Sequence, residues 1–191
     1  MIDQLFWFAT RGAGVVSLLL LTAVMVIGIV TTMRWQSRHW PRFLSAELHR
    51  SLALLSVVFL VVHVVTAIVD PFTHLGLEAA LIPFASSYRP LWVGLGVLSI
   101  DLGLAIVVTS LLRAHVGIRL WRAIHWLAYG AWPLAVLHSV GSGSDATASW
   151  MLAIDGLCIG ALLLAVGWRI LASRGANRDD LEWVAAAGRE A

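Results

Sequence analysis

Four histidines lie inside apolar segments of this chain, and their spacing forms two similar pairs. His49 and His63 are 14 residues apart, and His125 and His138 are 13 residues apart. An ionisable side chain in a lipid-spanning segment is costly and usually functional. Neutral imidazoles on two facing helices offer nitrogen ligands above and below a planar iron porphyrin, for which histidine is a common axial ligand. The pattern predicts two haem sites stacked at two depths of a membrane.

On an ideal helix, the spacing places His49 and His63 on a common face but does not do so for His125 and His138. Fourteen residues cover about four turns and roughly 21 Å, so His49 and His63 share nearly one face. Thirteen residues cover about 19.5 Å and leave His125 and His138 roughly 140° apart. Because Pro133 removes a helical hydrogen bond, altered winding near it is expected to bring both rings to one face.

The composition indicates a membrane protein. The chain has 191 residues, 60% of them hydrophobic and 13% charged, with a mean hydropathy of +0.86. These values lie well outside the range of water-soluble domains. The single cysteine, Cys158, excludes an intrachain disulfide framework. The net charge of +2 comes from arginines at segment ends and does not indicate a nucleic-acid partner.

Five apolar segments are long enough to cross the hydrocarbon core as helices. The predicted segments are 12–33, 45–69, 91–112, 119–140 and 150–171. The fold class is therefore an all-α bundle of five transmembrane helices in one domain, 1–172, followed by a short tail, 173–191. The connection 70–90 contains three prolines, which indicates a structured loop with room for a short interfacial helix.

Arginines accumulate in alternate connections, which predicts the orientation. The second connection has only Arg89 and the fourth has none. By the positive-inside rule the N-terminus is outside, the C-terminus is cytoplasmic, and the chain is a multi-pass protein of the cell membrane. The arginines that define the cytoplasmic side are Arg34, Arg38, Arg42, Arg113, Arg119, Arg122, Arg169, Arg174 and Arg178. His49 and His125 then lie near the cytoplasm, and His63 and His138 lie toward the outside.

Haem propionates need cationic partners, which arginine supplies with a planar fork. Arg50, together with Arg119 or Arg122, is a candidate near the inner histidines. Arg89 is the candidate at the outer face, for the outer propionates or an anionic acceptor. Arg11 is a candidate partner of Asp155 or of the outer haem. The glycines at helical positions are expected to allow close helix packing or space for a macrocycle. They are Gly12, Gly14, Gly28, Gly94, Gly96, Gly103, Gly156 and Gly160.

The paired histidines resemble those of the ferric reductase-like transmembrane domain family. This family includes ferric reductases, NADPH oxidases and the haem-binding membrane subunit of the bacterial methionine sulfoxide reductase system. The resemblance covers roughly residues 10–172, and stretches 9–12, 87–90 and 121–126 look like those of actinobacterial members. It implies two haem b groups, with His49 and His125 as the inner iron ligands and His63 and His138 as the outer ones.

The resemblance also indicates which electron donors and acceptors to expect. The larger oxidases have six apolar segments and a flavin and nicotinamide domain, whereas this sequence has five segments and a short tail without a Gly-rich phosphate-binding turn. We therefore expect a separate donor, either a cytoplasmic flavin-dependent reductase or a membrane quinol. The extracytoplasmic acceptor is left open among a ferric chelate, oxygen, a flavin and a reductase subunit. A bound flavin or quinone is also left open, and the chain is expected to be one subunit of an oxidoreductase.

Two other functions compete with the haem reading. The histidines, together with Asp101 in the middle of the third segment, would also suit a proton relay or a transporter bundle without haem. A zinc or copper site fits less well, because such metals draw three or four ligands together and these histidines divide into two levels. The remaining histidines, His39, His74 and His115, fall in predicted connections and are expected to be interfacial or solvated.

Overall fold

The computed structural model describes residues 2–33, 41–71 and 75–187, and every regular element in these ranges is a helix. His39, His74, Arg34 and Arg38 lie outside the described residues. The long helices are α1 (Ile2–Thr32), α2 (Arg42–Val69), α4 (Pro90–Leu111) and α8 (Ser149–Ala187). The shorter helices are α3 (Leu77–Leu81), α5 (Arg113–Val116), α6 (Ile118–His125) and α7 (Ala128–Ser142).

In the described ranges, four helices are long and apolar enough to cross a membrane without interruption. They are Leu5–Thr32, Phe43–Val69, Pro90–Leu111 and Ser149–Arg174. The expected fifth crossing, 119–140, is divided between α6 and α7 by a break at Trp126 and Leu127. The helical, multi-pass character of the chain is therefore confirmed, while the segment predicted as the fifth crossing is not one continuous helix.

Three element boundaries differ from the sequence prediction. α1 begins ten residues before the predicted start at residue 12, because residues 2–11 continue the helix. α8 continues through the predicted tail as far as Ala187. The connection between α2 and α4 contains the short helix α3, as its prolines had suggested. A left-handed Gly117, with φ of 77°, separates α5 from α6 and lets the chain reverse direction there.

The helices pack mainly as two close pairs. α1 packs along α2, α4 packs along α7, and α8 leans mainly on α1. α1 also contacts α7, whereas α2 and α7 have almost no backbone contact with each other. The histidine-bearing helices are therefore held apart, each fastened to a different neighbour.

The outward face of α2 is apolar. Leu54, Val58, Val61 and Val65 follow each other at helical spacing and are 50%, 57%, 55% and 52% exposed. At 100° per residue this stripe lies on the side of α2 opposite His63. Since α2 is a membrane-spanning helix, the stripe faces lipid and the histidine faces the protein.

The buried core lies where α1, α7 and α8 meet. Leu18, Met25, Trp132, Val136 and Cys158 form its centre. The Trp132 indole N–H donates to the Thr22 hydroxyl at 3.0 Å, and that hydroxyl donates to the Leu18 carbonyl at 2.8 Å. This hydrogen bond joins α7 to α1 in surroundings that contain no water to replace it.

Replacing Thr22 by valine keeps the side-chain shape but removes the acceptor of the Trp132 indole. We expect a loss of about 1 kcal/mol in the free energy of unfolding, the usual scale of an interhelical hydrogen bond in a membrane protein. Thermal unfolding in detergent measures this. Thr31→Val is the matched control, because the Thr31 hydroxyl donates only to the Ile27 carbonyl of its own helix. Equal destabilisation by both substitutions would show that the indole contact contributes nothing.

Candidate functional site

The four histidines meet in two pairs across the gap between α2 and the α6–α7 segment. The ring centres of His49 and His125 are 6.2 Å apart, with an interplanar angle of 59°. Those of His63 and His138 are 6.1 Å apart, with an angle of 82°. All four side chains are half-buried. Two pairs of imidazoles at nearly equal separation thus face each other between α2 and the α6–α7 segment, where α2 and α7 have almost no backbone contact.

His63 is held by the backbone of α1. Its Nδ1 lies 2.8 Å from the Thr10 carbonyl oxygen. A helical side chain covers the turn before its own Cα, so residue 14 would normally shield this carbonyl. Residue 14 is a glycine, and a Cβ there would lie only 2.9 Å from the His63 Nδ1. Gly14 therefore opens the carbonyl to the ring.

The same arrangement recurs twice. The His49 Nδ1 lies 3.1 Å from the Val24 carbonyl, and a Cβ on Gly28, four residues later, would lie 3.3 Å from the His49 ring. On the other side of the gap, the His138 Nδ1 lies 2.9 Å from the Trp92 carbonyl of α4. A Cβ on Gly96, again four residues later, would overlap the His138 ring. We call each set of a carbonyl and the glycine four residues after it a glycine cradle.

Each cradle fixes the tautomer of its histidine. A carbonyl oxygen can only accept, so Nδ1 must carry the proton and donate it. In the neutral ring, Nε2 then keeps its lone pair. Metal-binding histidines characteristically use such an outer hydrogen bond to orient the ring and raise the basicity of the ligating nitrogen. In His138 the Ser142 hydroxyl also lies 3.5 Å from Nε2, at the outer limit of a hydrogen bond.

His125 is held differently from the other three. Its Nδ1 is buried and has no hydrogen-bond partner among the described residues. The ring stacks on Trp121, one helical turn earlier, with ring centres 4.9 Å apart and an interplanar angle of 28°. An aromatic contact therefore positions this ring where a carbonyl positions the others.

The break between α6 and α7 accounts for the angular offset between His125 and His138. The backbone N–H groups of Leu127, Tyr129 and Gly130 each bond to the carbonyl three residues earlier. Such a 3₁₀ turn has three residues per turn in place of 3.6, so three residues add about 60° of rotation. This reduces the expected offset of about 140° to roughly 80°. The change in winding precedes Pro133, which lies inside α7, and the expectation that the winding changes at the proline was wrong in its location.

The paired rings fit a planar metal cofactor. Two metal–nitrogen bonds of about 2 Å, each extended by roughly 1 Å from ring nitrogen to ring centre, span about 6 Å. Both observed separations agree with this span. No cluster of three or more His, Cys, Asp or Glu side chains in the described ranges could hold a metal ion. Bis-histidine ligation of a macrocycle fits these residues, whereas a zinc or copper site with three or four protein ligands does not.

The arginines predicted to bind haem propionates make fewer contacts that define their role than the histidines do. The side chains of Arg50 and Arg122 are exposed, and neither has a hydrogen bond or ion pair within the described part of the chain. Arg89, in a left-handed conformation at the N-cap of α4, donates from Nη1 to the Gly141 carbonyl and to the Gly143 carbonyl at 3.2 Å. A cation near the last carbonyls of a helix interacts favourably with the helix dipole. The Nη1 of Arg89 therefore stabilises the C-terminal end of α7.

Two further expectations for charged groups are corrected. Arg11 forms an ion pair with Asp145 and a 3.1 Å hydrogen bond to Ser144, not a contact with Asp155. Asp155 is buried and accepts from the Ser139 hydroxyl at 3.0 Å. The side chain of Asp101 is exposed on α4. No contact among the described residues therefore joins Asp101 to the histidines with which the relay alternative paired it.

The cradle glycines are the site residues that sequence reasoning missed. They were expected to serve helix packing or a macrocycle, and four of the eight named glycines, Gly12, Gly103, Gly156 and Gly160, do face open space. The residue spacing already contained a signal for the two cradles of α1. Gly14 and Gly28 are 14 residues apart, as are His63 and His49, which is the register of two antiparallel helices in contact.

Comparison with known proteins gives one match. A protein family described as the ferric reductase like transmembrane component matches residues 13–136, well over half of the chain. The matched range contains all three cradle glycines and three of the four paired histidines, and it ends two residues before His138. No curated protein and no solved structure matches the chain.

The cradles predict the tautomer of each histidine in cofactor-free protein. His49, His63 and His138 are expected to carry the proton on Nδ1, the less common form of a free imidazole, while His125 is not so constrained. Nitrogen NMR of ¹⁵N-histidine-labelled protein in detergent distinguishes the two ring nitrogens. Protonation on Nε2 in the three cradled rings would contradict the assignment.

Adding a methyl group to a cradle should displace its histidine. Gly96→Ala is expected to break the His138 hydrogen bond and lower the free energy of unfolding by about 1–3 kcal/mol, the scale of overpacking. Gly103→Ala, on the same helix, faces open space and is the control. In an exposed helical position alanine is slightly stabilising. A His138 NMR signal unchanged in Gly96→Ala would show that the glycine is not required.

Proposed function

From the premise that the chain belongs to the ferric reductase like transmembrane component family, we propose that it is a di-haem b-type cytochrome of the cell membrane. Membership identifies it as a multi-pass component of membrane electron transfer. The proposal adds two bis-histidine haems, the inner on His49 and His125 and the outer on His63 and His138. Electrons pass from a cytoplasmic flavin-dependent reductase or a quinol to an extracytoplasmic acceptor, such as a ferric chelate, a flavin or a reductase subunit.

The observation that carries this proposal is the agreement between the two histidine pairs. Both ring separations suit one metal atom between two nitrogens, and three of the four rings have Nδ1 committed to a carbonyl. A histidine whose only task was to fill the core would gain nothing from lying at this distance from a second imidazole. The near absence of backbone contact between α2 and α7 also supports a cofactor between these helices.

A bound haem supplies one-electron redox chemistry, and the chain's residues determine where it sits. The cradles orient three ligating rings and leave Nε2 unprotonated toward the gap. The histidines of α2 lie on the side away from its lipid-facing stripe, and the core of α1, α7 and α8 packs against α7. Arg50 and Arg122 are proposed partners of inner propionates, and Arg89 of an outer one, through the guanidinium nitrogens that do not cap α7.

The topology that suits this function has five crossings. We propose that α6 and α7 cross the membrane together, since α7 runs along the spanning helix α4. The arginine distribution then puts the N-terminus outside and the C-terminus in the cytoplasm. Under this orientation the two haem levels lie near opposite surfaces, about 21 Å apart along α2.

The proton-relay alternative is less well supported by the contacts. A relay needs ring nitrogens free to accept and release protons in sequence. Here three Nδ1 atoms are engaged by carbonyls, and no described hydrogen bond joins the His49–His125 level to the His63–His138 level. Asp101 is on the exposed face of α4.

Removing one outer ligand should remove one haem. His63→Ala or His138→Ala is expected to halve the haem-to-protein ratio from two to one, because a single imidazole does not hold the group at that level. The remaining haem should still be reducible by dithionite. Haem extraction and visible spectra of the purified protein measure both. His115→Ala is the control, since His115 is exposed and outside both pairs. Full two-haem content in either ligand variant would contradict the assignment.

A further inference from the structure

His125 differs from the other paired histidines in the hydrogen bonding of its Nδ1. The other three Nδ1 atoms each lie against a helix carbonyl, whereas the Nδ1 of His125 is buried and has no partner among the described residues. When Nε2 of a neutral imidazole binds a metal, Nδ1 must carry the proton. Ligation of iron by the Nε2 of His125 therefore leaves a buried N–H donor without an acceptor, which is unfavourable.

The missing hydrogen bond weakens the bond from His125 to iron. An outer hydrogen bond raises the basicity of a ligating histidine, and losing one typically lowers metal affinity by about 10- to 100-fold. The inner level pairs His125 with the cradled His49, while both ligands of the outer level, His63 and His138, are cradled. The inner haem thus has one strong and one weak axial ligand, and the outer haem has two strong ones.

The backbone around His125 also allows this ring to move. His125 is the last residue of α6, a helix of only 8 residues that follows the left-handed Gly117. The 3₁₀ turn at Trp126 and Leu127 comes directly after it. α6 packs mainly against α4 and α5, whereas the other three histidines lie inside the longer helices α2 and α7. A short helix with a break at each end can shift without disturbing the long helices.

A small molecule can reach this level from the lipid. Trp126 and Leu127, which follow His125, are 57% and 39% exposed. In the proposed crossing of α6 and α7, these apolar side chains contact hydrocarbon. Charged ligands are excluded from hydrocarbon by the cost of leaving water, whereas small neutral molecules dissolve in it. The environment therefore selects for a neutral ligand.

We propose that the inner haem is a binding site for a small neutral diatomic ligand of ferrous iron, such as carbon monoxide or nitric oxide, which displaces His125. This inference rests on the proposed function and adds ligand binding to the inner level. The bond between iron and the His125 Nε2 breaks, and the nitrogen keeps its electron pair. The diatomic molecule donates its own pair to iron, which stays ferrous, and no proton is transferred. The outer haem keeps both of its cradled ligands.

Trp121 returns the displaced ring to the iron when no diatomic ligand is present. Its ring stacks on His125 with ring centres 4.9 Å apart, and its indole N–H donates to the Ser110 hydroxyl of α4 at 3.2 Å. An aromatic contact restrains the ring less firmly than a hydrogen bond to a carbonyl does, but it keeps the ring near the inner site. Without an added ligand, the inner haem is therefore six-coordinate.

The test is a titration of full-length, haem-loaded protein in detergent with carbon monoxide after reduction by dithionite. Carbon monoxide is the probe because it binds ferrous haem and does not oxidise it. Visible absorption is expected to show one carbon monoxide bound for every two haems. Two haems per chain that bind no carbon monoxide would overturn this inference and leave the proposed function intact. A chain that holds no haem would overturn both.

Two ligand variants identify the haem that reacts. His63→Ala is expected to retain only the inner haem, which should bind carbon monoxide in a ratio of one to one. His49→Ala is expected to retain only the outer haem, which should not react. Reaction of the haem in His49→Ala, or its absence in His63→Ala, would overturn the assignment to the inner level.

Removing a cradle should make the outer haem reactive as well. Gly96→Ala breaks the His138 hydrogen bond, so this variant is expected to bind two molecules of carbon monoxide for every two haems. Gly103→Ala, which faces open space on the same helix, should bind one, as the wild type does. A single bound molecule in Gly96→Ala with full haem content would show that the cradles do not determine which histidine is displaced, and would overturn the argument.

The stack on Trp121 gives a kinetic test of His125. Trp121→Leu is expected to speed carbon monoxide binding by roughly two- to tenfold, the range that one aromatic contact allows. Trp121→Phe keeps a stacked ring and should stay close to the wild-type rate. Flash photolysis measures both rates, and haem content is determined for each variant. Equal rates in Trp121→Leu and the wild type would show that the ring displaced by carbon monoxide is not His125.

Discussion

The hydrogen bond from an imidazole Nδ1 to a helix carbonyl, opened by a glycine four residues later, is the constraint on which the site depends. It occurs at His49, His63 and His138. Each bond sets the tautomer, the direction of the ring and the depth of the histidine in one step. It also sets the register of the helices, because the carbonyl and the glycine must both face the same ring. An extra methyl group or a one-residue shift would remove all of these together.

This constraint divides the protein into two halves that meet at the histidines. α1 carries the cradles for α2, and α4 carries the cradle for α7, so each histidine-bearing helix is fastened to its own neighbour. The buried core joins α1, α7 and α8 and leaves the space between α2 and α7 without packed backbone. The cradles thus orient the histidine rings on both sides of a region without close backbone packing, as a preorganised cofactor site requires. The His125 ring is the exception, since it is stacked on an aromatic side chain near an exposed surface.

Much of this could be read from the sequence. The apolar segments and the family were predicted because hydropathy, the cost of buried histidine and the motif spacing are local signals, and the resemblance to that family implied the pairing of His49 with His125 and of His63 with His138. The position of the helix break was not, because Pro133 is a visible helix breaker whereas the 3₁₀ turn at Trp126 and Leu127 depends on tertiary packing. Arg11 was a candidate partner of Asp155 or of the outer haem, and the carboxylate it pairs with is Asp145, since loop conformation decides which carboxylate comes within reach. The role of Gly14 and Gly28 required the register of two helices, although their 14-residue spacing repeats that of His49 and His63.

The most direct test of the account is the haem-to-protein ratio of the purified wild-type chain, combined with the low-temperature electron paramagnetic resonance spectrum of its oxidised form. Two low-spin ferric haems per chain, each with bis-histidine signals, are the predicted result. The two ring pairs differ in interplanar angle, so two distinct low-spin signals are expected. A colourless protein that cannot be loaded with haem, or a high-spin haem with one open position, would contradict the claim that both histidine pairs are axial ligands.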